Sequence, residues 1–573
     1  MFPSEPSHRG LPQCTLADYE REFRGRHRLP DVLAYWAARK PDAVAFIDVR
    51  RRQEITWRTF EQRTSALALG LLRLGFRKGD FLAVSLPFSP EHIFLEYACF
   101  QIGVIHAPLD LRLPPEEVLR CLRLIGAKGF VFPGPAPAGD FRELGRAVQK
   151  HSPFVSHRIQ ISAPEETIEG ALCYYQWAAG AERLWVDNSP EAEACRSKRA
   201  RVSEAVAENN GAQVIFTTGS TGAPKPALLS HRGITCQNMC LGAGFGFGEG
   251  TRLLINLPPS HVGGQSETLM TTLFWGGTAI VLDVFDAAGS LRAIEQYQVN
   301  LLGQVPAMFN LEWRLPDYAQ YDLSSLRLAV YGGQQVSRPF LERLATMAPG
   351  IATGLGLTEA SGFCTYTPPG AGVDEILSSI GYDMPVYPVS IRQPMREDGT
   401  AGEPLPDGEL GHICFRGPQT FLGYLNDPQA TSRTISRDGF LYTGDMGYWD
   451  SRGLHFAGRA KWVIKPAGYQ IFPGQIEEHI LQLTDKVAAC GVVGVPHELL
   501  SEAAVAFVEK KPGVELEIAE LRRHARSLAP YLRPLHYVIL EPGQLPLNRA
   551  AKVDYLKLQQ MAAERERARK LTP

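Results

Sequence analysis

No stretch of 18 consecutive apolar residues occurs in this chain of 573 residues, so no membrane-spanning helix is expected. The first ten residues, MFPSEPSHRG, lack the apolar core of a secretory signal. Net charge is almost absent, because 59 Lys and Arg face 61 Asp and Glu, leaving −2. Such a balance gives no electrostatic case for a nucleic-acid partner. The basic runs Arg50–Arg52 and Arg196–Val202 are short and read as solvated faces or exposed linker. The ten cysteines show no Cys-x-x-Cys spacing. Cys236 and Cys240 could share a helix face, but no histidine follows at ligand spacing. All ten therefore read as core or surface thiols in a reducing compartment, and the expectation is a cytoplasmic protein. No internal repeat is present.

What is there is ordinary globular material, 45% hydrophobic and 21% charged, too long for a single core. From Leu29 onward helix and strand patterns alternate: a helix over 29–40, a strand over 43–49, a helix beginning near Thr56 or Thr59, and further alternations to Gly134. The segment 133–210 is less regular, and the alternation resumes at Ala212. Past Gly408 short strands and turns dominate, and a boundary fits near Arg459. The expected fold is α/β: a large domain over 29–458 with mixed or parallel sheets and a β-rich subdomain, then a small α/β domain over 459–573. Residues 1–28 read as an N-terminal extension.

The stretch TTGSTGAPKP, Thr217–Pro226, has four hydroxyl residues, two glycines and one lysine. It is not a Walker loop, because Lys225 lies between two prolines and the residues after it look like a strand rather than a helix. The anion site would instead come from loop N–H groups and hydroxyls, with Gly219 and Gly222 allowing close approach. Pro226 deletes one N–H and is best tolerated at the first residue of a strand. A second glycine-rich run, Gly242–Gly250, lacks a clear strand before and helix after and reads as loop.

Five further motifs follow in order: Ser260–Gly264 (SHVGG), Gly354–Ser361 (GLGLTEAS), Tyr442–Asp450 (YTGDMGYWD), Gly458–Glu477 and Leu545–Lys552 (LPLNRAAK). With the opening loop they resemble the adenylate-forming superfamily, which includes acyl- and aryl-CoA synthetases, peptide-synthetase adenylation domains and luciferases. The pattern is nearest the free-standing AMP-forming acyl-CoA synthetases and spans about residues 30 to 560. The resemblance implies ATP-dependent activation of a carboxylic acid to an acyl-adenylate, release of pyrophosphate, and thioester formation with CoA. It implies that Thr217, Thr218, Gly219, Ser220, Thr221, Gly222 and Lys225 cradle the β- and γ-phosphates. Thr358 would bond the α-phosphate, and Glu359 would hold Mg2+, a hard cation suited to oxygen ligands. Gly333, Gly354, Leu355 and Gly356 would line the nucleotide. Asp445 would take the ribose hydroxyls with Arg459 beside it. His261 would stand beside the substrate carboxylate, and Lys552 would stabilise charge at the transition state. Lys461 would be the hinge about which the small domain turns, and Gly468 would let pantetheine pass.

The chain departs from the family pattern at several places. Leu355 stands where tyrosine is usual, Gln334 and Gln335 follow Gly333, Ala551 replaces glycine before Lys552, and Trp462 sits beside the hinge. Val262 follows His261 where amino-acid-activating relatives carry Asp, so an α-ammonium would lack a partner. The segments 262–277, 303–310 and 330–336 are mostly apolar, small or amide-bearing, which suits a fatty or aromatic acid; Gln265, Glu267, Gln334 and Gln335 hint at one polar contact. Two alternatives stay open on sequence: an acyl-AMP ligase loading a separate carrier protein, and a catalytically inactive nucleotide-binding relative. A monomer or homodimer is expected.

Overall fold

The computed structural model describes residues 11–218, 224–466, 470–497, 500–547 and 553–571. Two large sheets organise the N-terminal part. One has eight strands in the order Gly423–Tyr424, Pro224–Ser230, Gly211–Thr218, Ile105–Pro108, Phe81–Val84, Gly129–Pro133, His157–Ile161 and Leu172–Cys173. It is parallel from Gly211–Thr218 onward and antiparallel at the hairpin that joins Gly211–Thr218 to Pro224–Ser230. The other has seven strands, with six parallel members from Gly350–Ala352 to Val44–Asp48 and the antiparallel Gln53–Thr56 at one edge. A four-stranded antiparallel sheet, Val389–Arg392 to Gly453–Arg459, forms the β-rich part, and a three-stranded sheet serves the C-terminal part.

Local chemistry sets the helices between the large sheets. Pro90–Ile102 starts where the Ser89 hydroxyl accepts the His92 N–H and stops at left-handed Gly103. Every one of its residues is buried, as expected of a helix packed on all sides. Trp57–Arg73 is capped by Thr56, one of the two expected starts. His231–Phe245 is capped by Ser230 and ends at left-handed Gly246. Their apolar faces merge into one core with Phe46, Phe60, Phe100 and Phe274. The part of the extension from residue 11 joins that core: Leu11, Cys14, Tyr19 and Phe23 are buried in it, and Tyr19 Oη pairs with Thr235 Oγ1 at 2.7 Å. Hydrophobic side chains from Ile464 onward form clusters of their own.

Four sequence expectations change. Residues 133–210 are regular: they hold the helices Arg142–His151, Tyr174–Val186 and Pro190–Glu204 and two further strands of the eight-stranded sheet. Their polar helices hid this, since only Ala192 of Pro190–Glu204 is buried. The run Arg196–Val202 lies in that helix, where Arg199 Nη1 donates to Gln101 Oε1 at 2.8 Å, so it is a docked helix rather than linker. The run Gly242–Gly250 is half helix, because Gly242, Ala243, Gly244 and Phe245 close the helix against Trp275. Pro226 is the third residue of its strand, not the first, and the neighbouring two-residue strand pairs only with Ala227 and Leu228.

A Cβ at Gly242 would stand 1.8 Å from Trp275 Nε1. Gly242→Ala is therefore expected to lower stability by about 1–3 kcal/mol through overpacking. Thermal unfolding checks this, and an unchanged midpoint would mean that the helix does not rest on Trp275.

Candidate active site

The hairpin loop lies outside the described residues over Gly219, Ser220, Thr221 and Gly222, but its two stems are set. Thr217 pairs with Lys225 and Thr218 with Pro224, and Thr217 Oγ1 reaches the Lys225 carbonyl at 3.5 Å. The short strand Gly423–Tyr424 runs beside the returning stem. It places the Tyr424 ring 5.2 Å from Lys225 Nζ, a cation–π contact. On its other side the Tyr424 hydroxyl donates to Glu359 Oε1 at 2.5 Å. Burial and the Glu359 charge push the Tyr424 phenol well above its ordinary range, so it stays a donor.

Glu359 sits in the turn Thr358–Ala360, which left-handed Ser361 closes by donating its N–H to the Thr358 carbonyl. Ser361 is held in place because its hydroxyl donates to the Gln419 carbonyl and its own carbonyl accepts from Ser266 Oγ at 2.6 Å. The preceding hairpin pairs Gly356 with Phe363 and Leu357 with Gly362. Gly354 admits no side chain, since a Cβ there would meet the Thr365 carbonyl oxygen at 1.8 Å. Leu355 is half-buried against the main core, and Gly333 is exposed with φ +93°.

His261 is exposed and precedes the π-helix Gly263–Met270. Its Nδ1 accepts the Gly263 N–H at 3.0 Å, so the neutral ring carries its proton on Nε2. Within that helix Thr268 Oγ1 donates to the carbonyls of Gly263 and Gly264, both at 2.8 Å. Such widened turns recur at functional sites. Glu267 leaves the same turn toward the Gly356 hairpin: its Oε1 lies 3.0 Å from where a Gly356 Cβ would stand.

Asp445 lies on Leu441–Asp450, opposite Arg459 on the next strand. Arg459 Nε and Asp445 Oδ1 are 2.9 Å apart, with the carboxylate 4% and the guanidinium 54% exposed. Next in the chain, Lys461 places Nζ 4.4 Å from the Trp462 ring centroid, and Arg459 and partial burial lower its pKa. Trp462 stacks on Tyr555 at 5.5 Å, and the Tyr555 hydroxyl donates to both oxygens of Glu477 at 2.9 Å. Burial raises the Glu477 carboxyl to about 7.

Lys225 and Glu359 thus gather about Tyr424, and Asp445 is bound to Arg459; Glu267 lies by the Gly356 hairpin and His261 at the head of the π-helix. Lys552 and Gly468 lie outside the described residues, and Thr218 is described through its backbone. Tyr424 was absent from the sequence-derived set. The only signal for it was an aromatic after glycine in the run Phe421–Leu425, which no short-range pattern ties to Lys225 or Glu359. Glu267 was noticed and could not be placed. Cations and carboxylates set among glycine-rich turns suit a polyanion carried with a hard cation.

Comparison with known proteins agrees. The family described as AMP-binding enzyme matches residues 33–425, and the AMP-binding enzyme C-terminal domain matches 475–552. The chain is 30% identical to a feruloyl-CoA synthase from Amycolatopsis sp over 490 residues, covering 84% of this chain and 89% of that one. It is 29% identical to 4-coumarate--CoA ligase-like 6 from Oryza sativa subsp. japonica, covering 91% and 84%. In fold it matches ATP-bound MatB from Rhodopseudomonas palustris with a TM-score of 0.79 at 22% identity, over 94% of this chain and 99% of that one. With both domain families present in order over most of its length, the chain belongs to the AMP-binding enzymes.

Proposed function

We propose that this AMP-forming acid–CoA ligase acts on an aromatic carboxylate whose tail carries one hydrogen-bond donor. The reaction itself follows from the ligase relatives: ATP activates a carboxylic acid, and CoA then takes the acyl group as a thioester. The observation that carries the substrate reading is Glu267, a partly buried carboxylate beside Gly356; Val262, Leu269 and Met270 of the same segment are buried. A hydroxyl or amino group on the tail would donate to it, and the walls would cover an aryl ring. Buried Val262 leaves the family's usual ammonium partner absent, which disfavours an α-amino acid. Similarity to a feruloyl-CoA synthase and to a protein described as 4-coumarate--CoA ligase-like supports the same class.

In the first step the substrate carboxylate attacks the α-phosphorus and pyrophosphate leaves. The phosphate loop from Thr217 to Lys225 neutralises and holds the leaving group, and Thr358 donates to the α-phosphate. Glu359, oriented by Tyr424, is the residue that would hold Mg2+, which supplies charge neutralisation on the phosphates when bound. Leu355, with Gly333, Gly354 and Gly356, covers the nucleotide, and Asp445 accepts from the ribose hydroxyls while Arg459 steadies it. His261 donates from Nε2 to the substrate carboxylate, an orientation consistent with the Gly263 contact. Lys552 stabilises the charge that passes between carboxylate and phosphate. In the second step the thiol of CoA, reaching past Gly468, attacks the acyl carbonyl and AMP leaves, after a turn of the small domain about Lys461. Among the described residues no helix is long and apolar enough to cross a membrane, and we place the enzyme in the cytoplasm as a monomer or homodimer.

Three measurements check this reading. With ATP, CoA and a panel of acids, hydroxylated or amino-substituted aryl acids should exceed linear fatty acids in kcat/KM, and Glu267→Gln should shrink that preference about tenfold, roughly the value of one hydrogen bond to a charge. Equal rates across the panel, or a preference untouched by Glu267→Gln, would reject the substrate class. Lys552→Ala should abolish pyrophosphate release yet spare thioester formation from supplied acyl-AMP; equal loss of both steps contradicts the two-conformation scheme. Tyr424→Phe, which keeps the ring under Lys225, should raise the KM for ATP with magnesium about tenfold, and Tyr424→Ala should raise it further.

A further inference from the structure

One cluster of ligand-type side chains plays no part in that scheme. His92 and Glu96 stand four residues apart on Pro90–Ile102 and so share one face of the helix. His106 stands on the strand Ile105–Pro108. All three are 0% exposed, and one ligand atom from each lies within 4.8 Å of the other two. His106 Nδ1 is 3.1 Å from Glu96 Oε1, and the two imidazoles meet edge to face.

Two fully buried glutamines complete the surroundings. Gln213 Nε2 donates to Glu96 Oε1 at 2.9 Å and lies 3.5 Å from His106 Nδ1. Gln265 Nε2 lies 3.3 Å from His92 Nε2, and the same side chain also reaches Glu96. The polar accounting does not close with protein groups alone. Gln265 Oε1, His106 Nε2 and Gln213 Oε1 are buried without a hydrogen-bond partner, and an ion held here would engage the first of them. Neutral imidazoles offer the lone pairs that a metal ion uses.

We infer that His92, Glu96 and His106 form a buried site for a divalent transition metal of the zinc class, with the Gln265 amide oxygen as the fourth ligand. Two imidazoles with a carboxylate suit zinc better than magnesium or calcium, which favour all-oxygen shells. Zinc bonds of about 2.0–2.2 Å set tetrahedral ligand atoms about 3.4 Å apart. The His106–Glu96 separation of 3.1 Å already meets that spacing. The His92–Gln265 separation of 3.3 Å meets it too once the Gln265 amide turns over to present its oxygen, an exchange of near-equivalent ends. The ion would be structural. It would tie Pro90–Ile102 and Ile105–Pro108 to the π-helix that follows His261, with Gln213 supporting from the strand that leads into the phosphate loop. A site this deep would be loaded as the chain folds.

The test uses the full chain expressed in media supplemented separately with zinc, cobalt and nickel, then dialysed against a chelator. Elemental analysis should find about one equivalent of metal per chain, and the cobalt form should show the visible d–d absorption of a four-coordinate site. Glu96→Gln, which nearly preserves shape, should lower metal content at least about tenfold. Where that variant does not fold, the cobalt spectrum of the unmodified chain decides. Metal below about a tenth of an equivalent from all three media, absence of the cobalt bands, or equal metal in a folded Glu96→Gln variant would each overturn the assignment.

Discussion

In the proposed site, a cation and a carboxylate that must both face the same triphosphate cannot be allowed to neutralise each other first. Lys225 and Glu359 meet that constraint through Tyr424, whose ring face takes the ammonium and whose hydroxyl takes the carboxylate. Neither charge loses its affinity for a ligand, as a direct ion pair at close range would make it do. Much of the surrounding architecture serves this arrangement. The hairpin carries Lys225, left-handed Ser361 fixes the turn that carries Glu359, and a two-residue strand brings the phenol between them. Ser266 of the π-helix holds Ser361, so the wall proposed for the acid and the residue proposed for the metal share one hydrogen-bonded support.

The fold class and most elements were legible because the parallel strands are continuous apolar runs and the helices carry strong start and stop residues such as Ser89, Thr56 and Gly103. The segment 133–210 was not, because its helices are short of buried residues and its strands are brief, so hydrophobic period had little to register. Half of the Gly242–Gly250 run was misread for a related reason. Its glycines serve helix packing against Trp275 and Tyr366, where glycine is chosen for lack of bulk and not for freedom of turning. In the site, residues inside contiguous motifs, among them Glu359, Asp445 and Lys225, could be proposed from the sequence, and the structure brings Lys225 and Glu359 to one tyrosine. Tyr424 and the direction of Glu267 were not, since both act across chain separations that one sequence does not encode locally.

The departures from the family pattern gain physical content. Leu355 packs against the main core beside the hairpin proposed to face the nucleotide, a role an aliphatic side chain fills well. Trp462, unusual beside a hinge, has a partner of matching kind: it stacks on Tyr555, which is itself bound to Glu477. Glu477 in turn accepts the Val492 N–H at 2.7 Å from the three-stranded sheet. The residue next to Lys461 is thereby tied to the sheet of the small domain by three contacts in series.

That series has a mechanical meaning. Tyr555 stands three residues beyond Lys552, while Trp462 stands one residue beyond Lys461. In the proposed scheme Lys461 is the pivot and Lys552 the catalytic residue, and the Trp462–Tyr555 stack clasps the residue beside the one to the helix that follows the other. An enzyme that must present one lysine and then withdraw it gains from such a clasp, because the angle turned and the distance travelled by that lysine become a single variable.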